Sequence, residues 1–279
     1  MTIIEKIHTL YPEMTKSEKE ISEYLISHRD DFIKKSIKDI ADENGTSTTT
    51  LIRFARRLGF EGFRELKKAL CEDTVISPTL TSKFNSINYM SGDRLLADTI
   101  NQSFRCIEDT FTKIPEKTLD ECVAKLQDAR RVYTFGMKES YALSHYAYTR
   151  LYTVRNDVFI LDVAHGDAES LLNITKDDTC IIFLFHRYTK TSVDVLKAIK
   201  KTGASIILIT NEPVDEIEKY SDILIPCVVY GSGIKNTSIA PVCLLDYLCN
   251  VLAVKDPQKA LNRFKELELL FENQETLGN

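Results

Sequence analysis

The sequence predicts a two-part fold: an all-α first domain, then a doubly wound α/β domain on a five-stranded parallel sheet. Three observations carry this. Residues 1–70 repeat short stretches with apolar side chains at helical spacing. After residue 131, five short β-branched runs alternate with helical stretches. Between the two, the chain turns to small polar residues around Pro78 and runs on to Gly92. With 279 residues, 43% hydrophobic and 28% charged, the chain is long enough for two domains and ordinary for a soluble globular protein.

Taken in order, Thr15-Lys-Ser-Glu18 has the form of a capping box, in which hydroxyl and carboxylate each satisfy an orphan backbone N–H. Ile21, Tyr24, Leu25 and Ile26 follow it at helical spacing. Ser36 can cap a second helix carrying Ile37, Ile40 and Ala41, which ends near Gly45. Ser47 begins a third, with Leu51, Phe54, Ala55 and Leu58 on one side, and Gly59 suits a left-handed cap. A further helix runs through Phe63, Leu66 and Leu70. Residues 1–72 thus form the first domain and 73–92 a linker, with a helical turn around Phe84 and Ile87. Residues 93–279 form the second domain, where helical patterns occupy 95–111 and 118–126. The runs at 132–135, 158–161, 179–184, 205–210 and 223–225 are apolar on both faces, as strands covered on both sides must be. A ligand of such a sheet sits outside the carboxyl ends of its strands. Helices over 239–254 and 257–271 close the chain.

Several classes of function are set aside by composition. No apolar run approaches the ~20 residues that a bilayer requires, and MTIIEKIHTLYPEM lacks a basic segment ahead of an apolar signal core. A cytoplasmic protein with no membrane partner is expected. The seven cysteines are odd in number, form no C-x-x-C pair and lie mostly among apolar neighbours, which reads as reduced buried thiols. The five histidines show no metal-ligand spacing, so neither metal nor cofactor is expected.

Net charge is −5, yet Arg53, Arg56, Arg57, Arg64, Lys67 and Lys68 fall within sixteen residues that hold only Glu61 and Glu65 as acids. Phosphate neutralisation is local, so such a cluster matters more than the overall balance. It lies on a particular geometry. Ala41 is small enough for two helices to cross steeply, Gly45 tolerates the turn, and Leu51 and Phe54 seat the second helix. This is a helix-turn-helix. Its outward residues are Ser47, Thr48, Thr49, Thr50, Arg53, Arg56 and Arg57. Short hydroxyl side chains permit close approach to the major groove, and arginine reaches guanine or phosphate. Arg64, Lys67 and Lys68 on the next helix suit backbone phosphates of duplex DNA.

Ser17-Glu-Lys19, Ser36-Ile-Lys-Asp-Ile-Ala41, Gly45-Thr-Ser47, Ile52-Arg-Phe-Ala-Arg-Arg-Leu-Gly-Phe60 and Gly62-Phe-Arg-Glu-Leu66 resemble the N-terminal domain of the RpiR/MurR family of bacterial transcription regulators. Thr46 stands where that family usually has valine. The resemblance spans nearly the whole chain and implies a C-terminal sugar isomerase (SIS) domain that binds phosphorylated sugars. It places a first ligand loop at Gly136-Met-Lys-Glu-Ser140, with Lys138, Glu139 and Ser140 as candidate contacts. The phosphate loop falls at Phe185-His-Arg-Tyr-Thr-Lys-Thr-Ser192, where the family's glycine is missing. His186, Arg187, Thr189, Lys190, Thr191 and Ser192 there supply positive charge and hydroxyls suited to an anion. Ser232-Gly-Ile-Lys-Asn-Thr-Ser238 is a second candidate, either a helix cap or a ligand loop.

The expected protein is therefore a ligand-responsive regulator of carbohydrate metabolism, not an enzyme, which binds double-stranded operator DNA as a homodimer or higher homo-oligomer. The alternatives are a sugar-phosphate isomerase, using Glu139 or His186, and a metabolite-binding scaffold that ignores DNA. His165 reads as a loop residue.

Overall fold

The computed structural model describes residues 3–72, 92–163, 166, 168–186, 188–211, 214–229 and 235–272. Outside them fall residues 73–91 of the expected linker, with the turn read at Phe84 and Ile87, and also His165, Arg187 and Ser232. The chain forms two compact units that divide between Ile100 and Asn101.

The first unit is helical: α1 (Ile3–Leu10), a 3-10 turn (Tyr11–Glu13), α2 (Lys16–Ser27), α3 (Arg29–Lys34), α4 (Ile37–Glu43), α5 (Thr48–Arg57) and α6 (Phe63–Glu72). The caps form as the sequence suggests. Thr15 and Glu18 close a reciprocal box at the start of α2, and Ser36 and Asp39 close another at α4. The α4–α5 corner turns on Gly45, whose φ of 58° is a conformation that side chains with a Cβ rarely adopt. The Thr46 amide then donates to the Ala41 carbonyl at 2.9 Å, closing the turn. Ile40, Ala41, Leu51, Phe54, Ala55 and Leu58 are all buried in one core. Complete burial of a side chain such as Phe54 contributes about 1.5–3 kcal/mol. Two helices were not distinguished in the sequence, α1 and α3. The signal for α1 was the i, i+4 pair Ile3 and Ile7, both buried. Phe32, the buried residue of α3, has no apolar partner at helical spacing on its own short helix.

The second unit carries β1 (Val132–Gly136), β2 (Val158–Ile160), β3 (Thr179–Phe183), β4 (Ser205–Thr210) and β5 (Ile223–Pro226). Their order is β2-β1-β3-β4-β5 and every pairing is parallel. Its helices are α7 (Gly92–Lys113), which enters from the first unit, α8 (Glu116–Asp128), α9 (Glu139–Val154), α10 (Lys190–Thr202), α11 (Asp215–Glu218), α12 (Ile239–Lys255) and α13 (Pro257–Glu272). Alternation along β1, β3, β4 and β5 feeds two cores, whereas at the sheet edge the run at 158–161 departs from the expected double cover, with Phe159 of β2 41% exposed. Ile181, Phe183, Ile207 and Ile209 face Leu126, Leu143 and Leu248 of α8, α9 and α12. Cys180, Ile182, Ile206 and Leu208 face Leu196 and Ile199 of α10 and Ile217 of α11. A strand with a core on each side has no polar face, which is why the runs read as continuously apolar. At the start of β3 the buried Asp178 carboxylate accepts from Arg130 Nη2 at 2.7 Å and from the Thr175 amide at 2.8 Å. Burial works to raise its pKa, but these bonds outweigh it and hold the carboxyl below its ordinary value.

Candidate nucleic-acid interface and effector site

Helix α5 is positioned by its own cap and core face. The Ser47 hydroxyl accepts from the Thr50 amide at 3.1 Å, and the two hydroxyls lie 2.8 Å apart. At 100° per residue, Thr49, Arg53 and Arg56 stand at i, i+4 and i+7, opposite Leu51, Phe54 and Ala55. Thr48, Thr49, Arg53 and Arg56 are exposed, as are Arg64 and Lys68 on α6. Among the described residues, Thr48, Thr49, Arg53 and Arg64 make no hydrogen bond through their side chains.

Two other cations of the patch, Arg57 and Lys67, turn toward the protein. Arg57 Nη1 donates to Glu18 Oε2 at 2.9 Å, and Nη2 donates to the Glu13 carbonyl at 2.6 Å. Lys67 Nζ donates to the Lys35 carbonyl at 2.8 Å and lies 5.9 Å from the centre of the Phe63 ring. Arg56 is exposed, but its Nε donates to the Glu61 carbonyl at 3.2 Å. Glu18 therefore serves two elements, capping α2 and holding the last turn of α5. Burial works to raise its pKa, but Thr15 and Arg57 together bring it below 4.5. Lys35 does comparable work for α4, reaching Asp31 at 3.0 Å and Glu43 at 2.8 Å. Sequence reasoning missed both joints. Glu18 was legible as a cap, whereas its partner thirty-nine residues away had no local signal.

In the second unit the strand order reverses between β1 and β3, so the crevice outside their carboxyl ends is the place for a ligand. The loops that leave these two strands are the two read from the sequence, and they meet there. The Thr189 hydroxyl lies 3.6 Å from Met137 Sδ. In the first loop, a Cβ on Gly136 would stand 2.2 Å from the Ser140 carbonyl oxygen, so only glycine allows α9 to begin that close to the strand. Lys138 then takes φ 55° and ψ −121°, a backbone conformation unfavourable for lysine, and its side chain is exposed beside exposed Glu139 and half-buried Ser140. Such strain gathers at ligand clamps.

In the second loop, Thr189 caps α10 by accepting from the Ser192 amide at 3.1 Å. Ser192 is buried, with its hydroxyl 2.8 Å from that of Thr189, whereas Lys190 and Thr191 are exposed. The His186 amide donates to Asn211 Oδ1 at 2.7 Å. Asn211 follows β4 and was not singled out in the sequence, although its place just beyond a strand's carboxyl end is the available signal. Thr237 of the other candidate loop accepts from the Ile239 amide at 3.3 Å, and Ser238 precedes α12 without a side-chain cap bond. A separate groove lined by Tyr148, Tyr152 and Phe159 lies beside β2 at the sheet edge, not at the switch point.

Burial pushes the Cys122, Cys227 and Cys249 thiols up to about 12. Thiols so held stay protonated near neutral pH and act as apolar packing. Among the described residues, no three His, Cys, Asp or Glu side chains cluster to hold a metal, and no helix is long and apolar enough to cross a membrane.

Comparison with known proteins agrees with both units. Residues 1–75 match the helix-turn-helix domain of the rpiR family, and residues 125–230 match the SIS domain. An uncharacterised HTH-type transcriptional regulator of Clostridium perfringens is 28% identical over 260 residues, covering 89% of this chain and 91% of its own. Among solved structures, the Vibrio vulnificus NanR protein complexed with ManNAc-6P aligns with 99% of this chain and 100% of its own, with a TM-score of 0.58 at 17% identity. The sugar isomerase domain of an RpiR transcription factor from Sphaerobacter thermophilus aligns with 63% of this chain and 98% of its own, with a TM-score of 0.58 at 18% identity. At those identities the structural likeness is one of fold.

Proposed function

This chain belongs to the RpiR family of helix-turn-helix transcription regulators with a SIS domain, and from that premise we propose that it binds a two-fold operator under the control of a phosphorylated sugar. The observation that supports DNA reading is the outward stripe of Thr49, Arg53 and Arg56, opposite a fully buried core face. Thr48 and Thr49 approach base edges, Arg53 and Arg56 reach bases or phosphates one turn on, and Arg64 and Lys68 hold the backbone. Ser47 and Thr50 contribute chiefly by capping α5, and Arg57 and Lys67 by fixing the helices that present the stripe. Residues 1–72 are the DNA-binding domain, 73–92 the linker and 93–279 the sensor.

Support for the effector comes from the loops converging at the β1/β3 switch point, where Lys138 and Lys190 bring charge and Thr191 and the α9 amides bring donors. Glu139, Ser140, His186, Thr189 and Ser192 frame that site, and a sugar phosphate matches its chemistry. The neighbour NanR was solved with ManNAc-6P, which points to the same ligand class. Function is read as binding without turnover: a regulator needs a ligand that prefers one arrangement of the protein, and no chemical step. Homodimerisation matches a two-fold operator.

A mobility-shift titration against the DNA upstream of the protein's own gene, with and without sugar phosphates, tests the proposal. A sequence-selective shift that one sugar phosphate changes, with that sugar recovered unaltered, is the expected result. Binding indifferent to DNA sequence would leave a scaffold, and conversion of the sugar would leave an isomerase.

A further inference from the structure

Three consecutive residues after β5 each bond to a different element. The Cys227 amide donates to the Thr210 carbonyl at the end of β4 at 2.8 Å. The Val228 amide donates to the Thr110 hydroxyl of α7 at 2.8 Å, across 118 residues of chain. The Val229 carbonyl accepts from the Thr237 amide at 2.8 Å, in the 232–238 loop. Beyond the sheet a backbone N–H loses its ladder partner and must find another. For Val228 that partner is a fully buried threonine, where valine would fill the same space without the cost of burying a hydroxyl. Among the described side chains of α7, only Cys106 and Thr110 are buried, one turn apart, and Phe111 packs at the edge of the core. The buried hold of α7 on the second unit is thus confined to its C-terminal half. The helix itself runs unbroken from Gly92, through the division at Ile100, to Lys113.

We propose that Thr110 is a positioning residue that couples the ligand loops of the β1/β3 crevice to α7. This rests on the reading of that crevice as the effector site. A peptide unit is planar, so its two ends move together. The Thr210 carbonyl belongs to the same peptide plane as the Asn211 nitrogen, and the Asn211 side chain holds the His186 amide at 2.7 Å. A ligand that shifts the His186 loop therefore tilts the acceptor of the Cys227 amide. The Cys227 carbonyl shares its plane with the Val228 amide, which carries the shift to Thr110 and so to α7. On its other side the junction reaches Thr237, so both candidate loops bear on the same threonine. Thr110, Thr210, Cys227 and Val229 are each at most 2% exposed. Close packing of that kind leaves little room for water to replace a bond or for neighbours to absorb a movement. A hydroxyl kept only to satisfy an amide would leave the His186 loop indifferent to its loss.

Amide hydrogen exchange of the full chain, read at single residues without DNA or ligand, tests the junction. Thr110→Val keeps the shape of the side chain and removes the acceptor. It should speed exchange about tenfold at Val228, Cys227 and His186. The Ser192 amide, held by Thr189 a few residues beyond His186, should exchange as in wild type. Thr110→Ser keeps the hydroxyl and should restore the wild-type pattern. Asn211→Ala approaches from the other end and should speed Cys227 and Val228 to a similar extent, which keeps the test available if Thr110→Val fails to fold. Faster exchange confined to Val228, or a rise that includes Ser192 equally, would show a mere anchor and overturn the coupling. Regulation is read separately, in mobility shifts with ManNAc-6P, present in the NanR neighbour, as the probe. The factor by which it changes operator affinity should shrink about fivefold in Thr110→Val and be kept in Thr110→Ser. An unchanged factor in Thr110→Val would also overturn the proposal. A wild type that binds its operator indifferently to the probe counts against the effector reading alone, and the exchange pattern still upholds or overturns the junction.

Discussion

At the scale of single residues, neighbouring arginines on one helix have different work. Arg53 is exposed and opposite the core, and truncating it should cost about 1–3 kcal/mol of specific operator affinity without changing stability. Arg57 is anchored on Glu18 and the Glu13 carbonyl. Arg57→Ala should lower stability by about 1 kcal/mol and leave the salt dependence of DNA binding unaltered. Arg64→Ala should make that salt dependence shallower by about one counterion. Mobility shifts across a salt series, paired with urea melts, separate the three. An equal change in salt slope for Arg57→Ala and Arg64→Ala would reject the distinction.

At the scale of elements, the Glu18–Arg57 joint ties the N-terminus of α2 to the last turn of α5. Because the folded carboxyl titrates below its ordinary value of 4.5, its contribution is present above that pH and is lost as pH falls through the depressed value. Glu18→Gln should therefore be less stable than wild type by about 1 kcal/mol at neutral pH, with the gap closing as pH falls through the depressed carboxyl value. Denaturant unfolding across an acid-to-neutral pH series measures it, and a gap independent of pH would rule out the linkage. The turn between β1 and α9 offers an opposed pair of substitutions. Gly136→Ala drives a Cβ into the Ser140 carbonyl and should destabilise by about 1–3 kcal/mol. Lys138→Gly relieves a strained backbone and should stabilise by about 1 kcal/mol while weakening effector binding. Unchanged stability in both variants would show that the turn carries no such strain.

At the scale of the whole molecule, regulation requires that effector and operator alter each other's affinity by the same factor. Calorimetric titration of the effective sugar phosphate into free protein and into the operator complex should give two affinities, in a ratio matching the change it causes in DNA binding. The same ligand at about a hundredfold its Kd should stabilise the protein by about 2.7 kcal/mol. Equal affinities in the two titrations would mean that the site does not control DNA binding.

What the amino-acid sequence determined by itself is everything decided within a few residues. Hydroxyls at Thr15, Ser36 and Ser47 cap helices because their partners lie three positions on. Gly45 makes the corner because its own φ is positive, and β1, β3, β4 and β5 are evident because two buried faces leave no polar period. The helix-turn-helix and its outward threonines and arginines follow from the same local rules. Tertiary structure decided which cations turn inward, the order β2-β1-β3-β4-β5, the meeting of Thr189 with Met137 and the place of Asn211. These depend on contacts between segments far apart in sequence, where the energy of packing and charge pairing selects one closure among many and no local pattern records the choice.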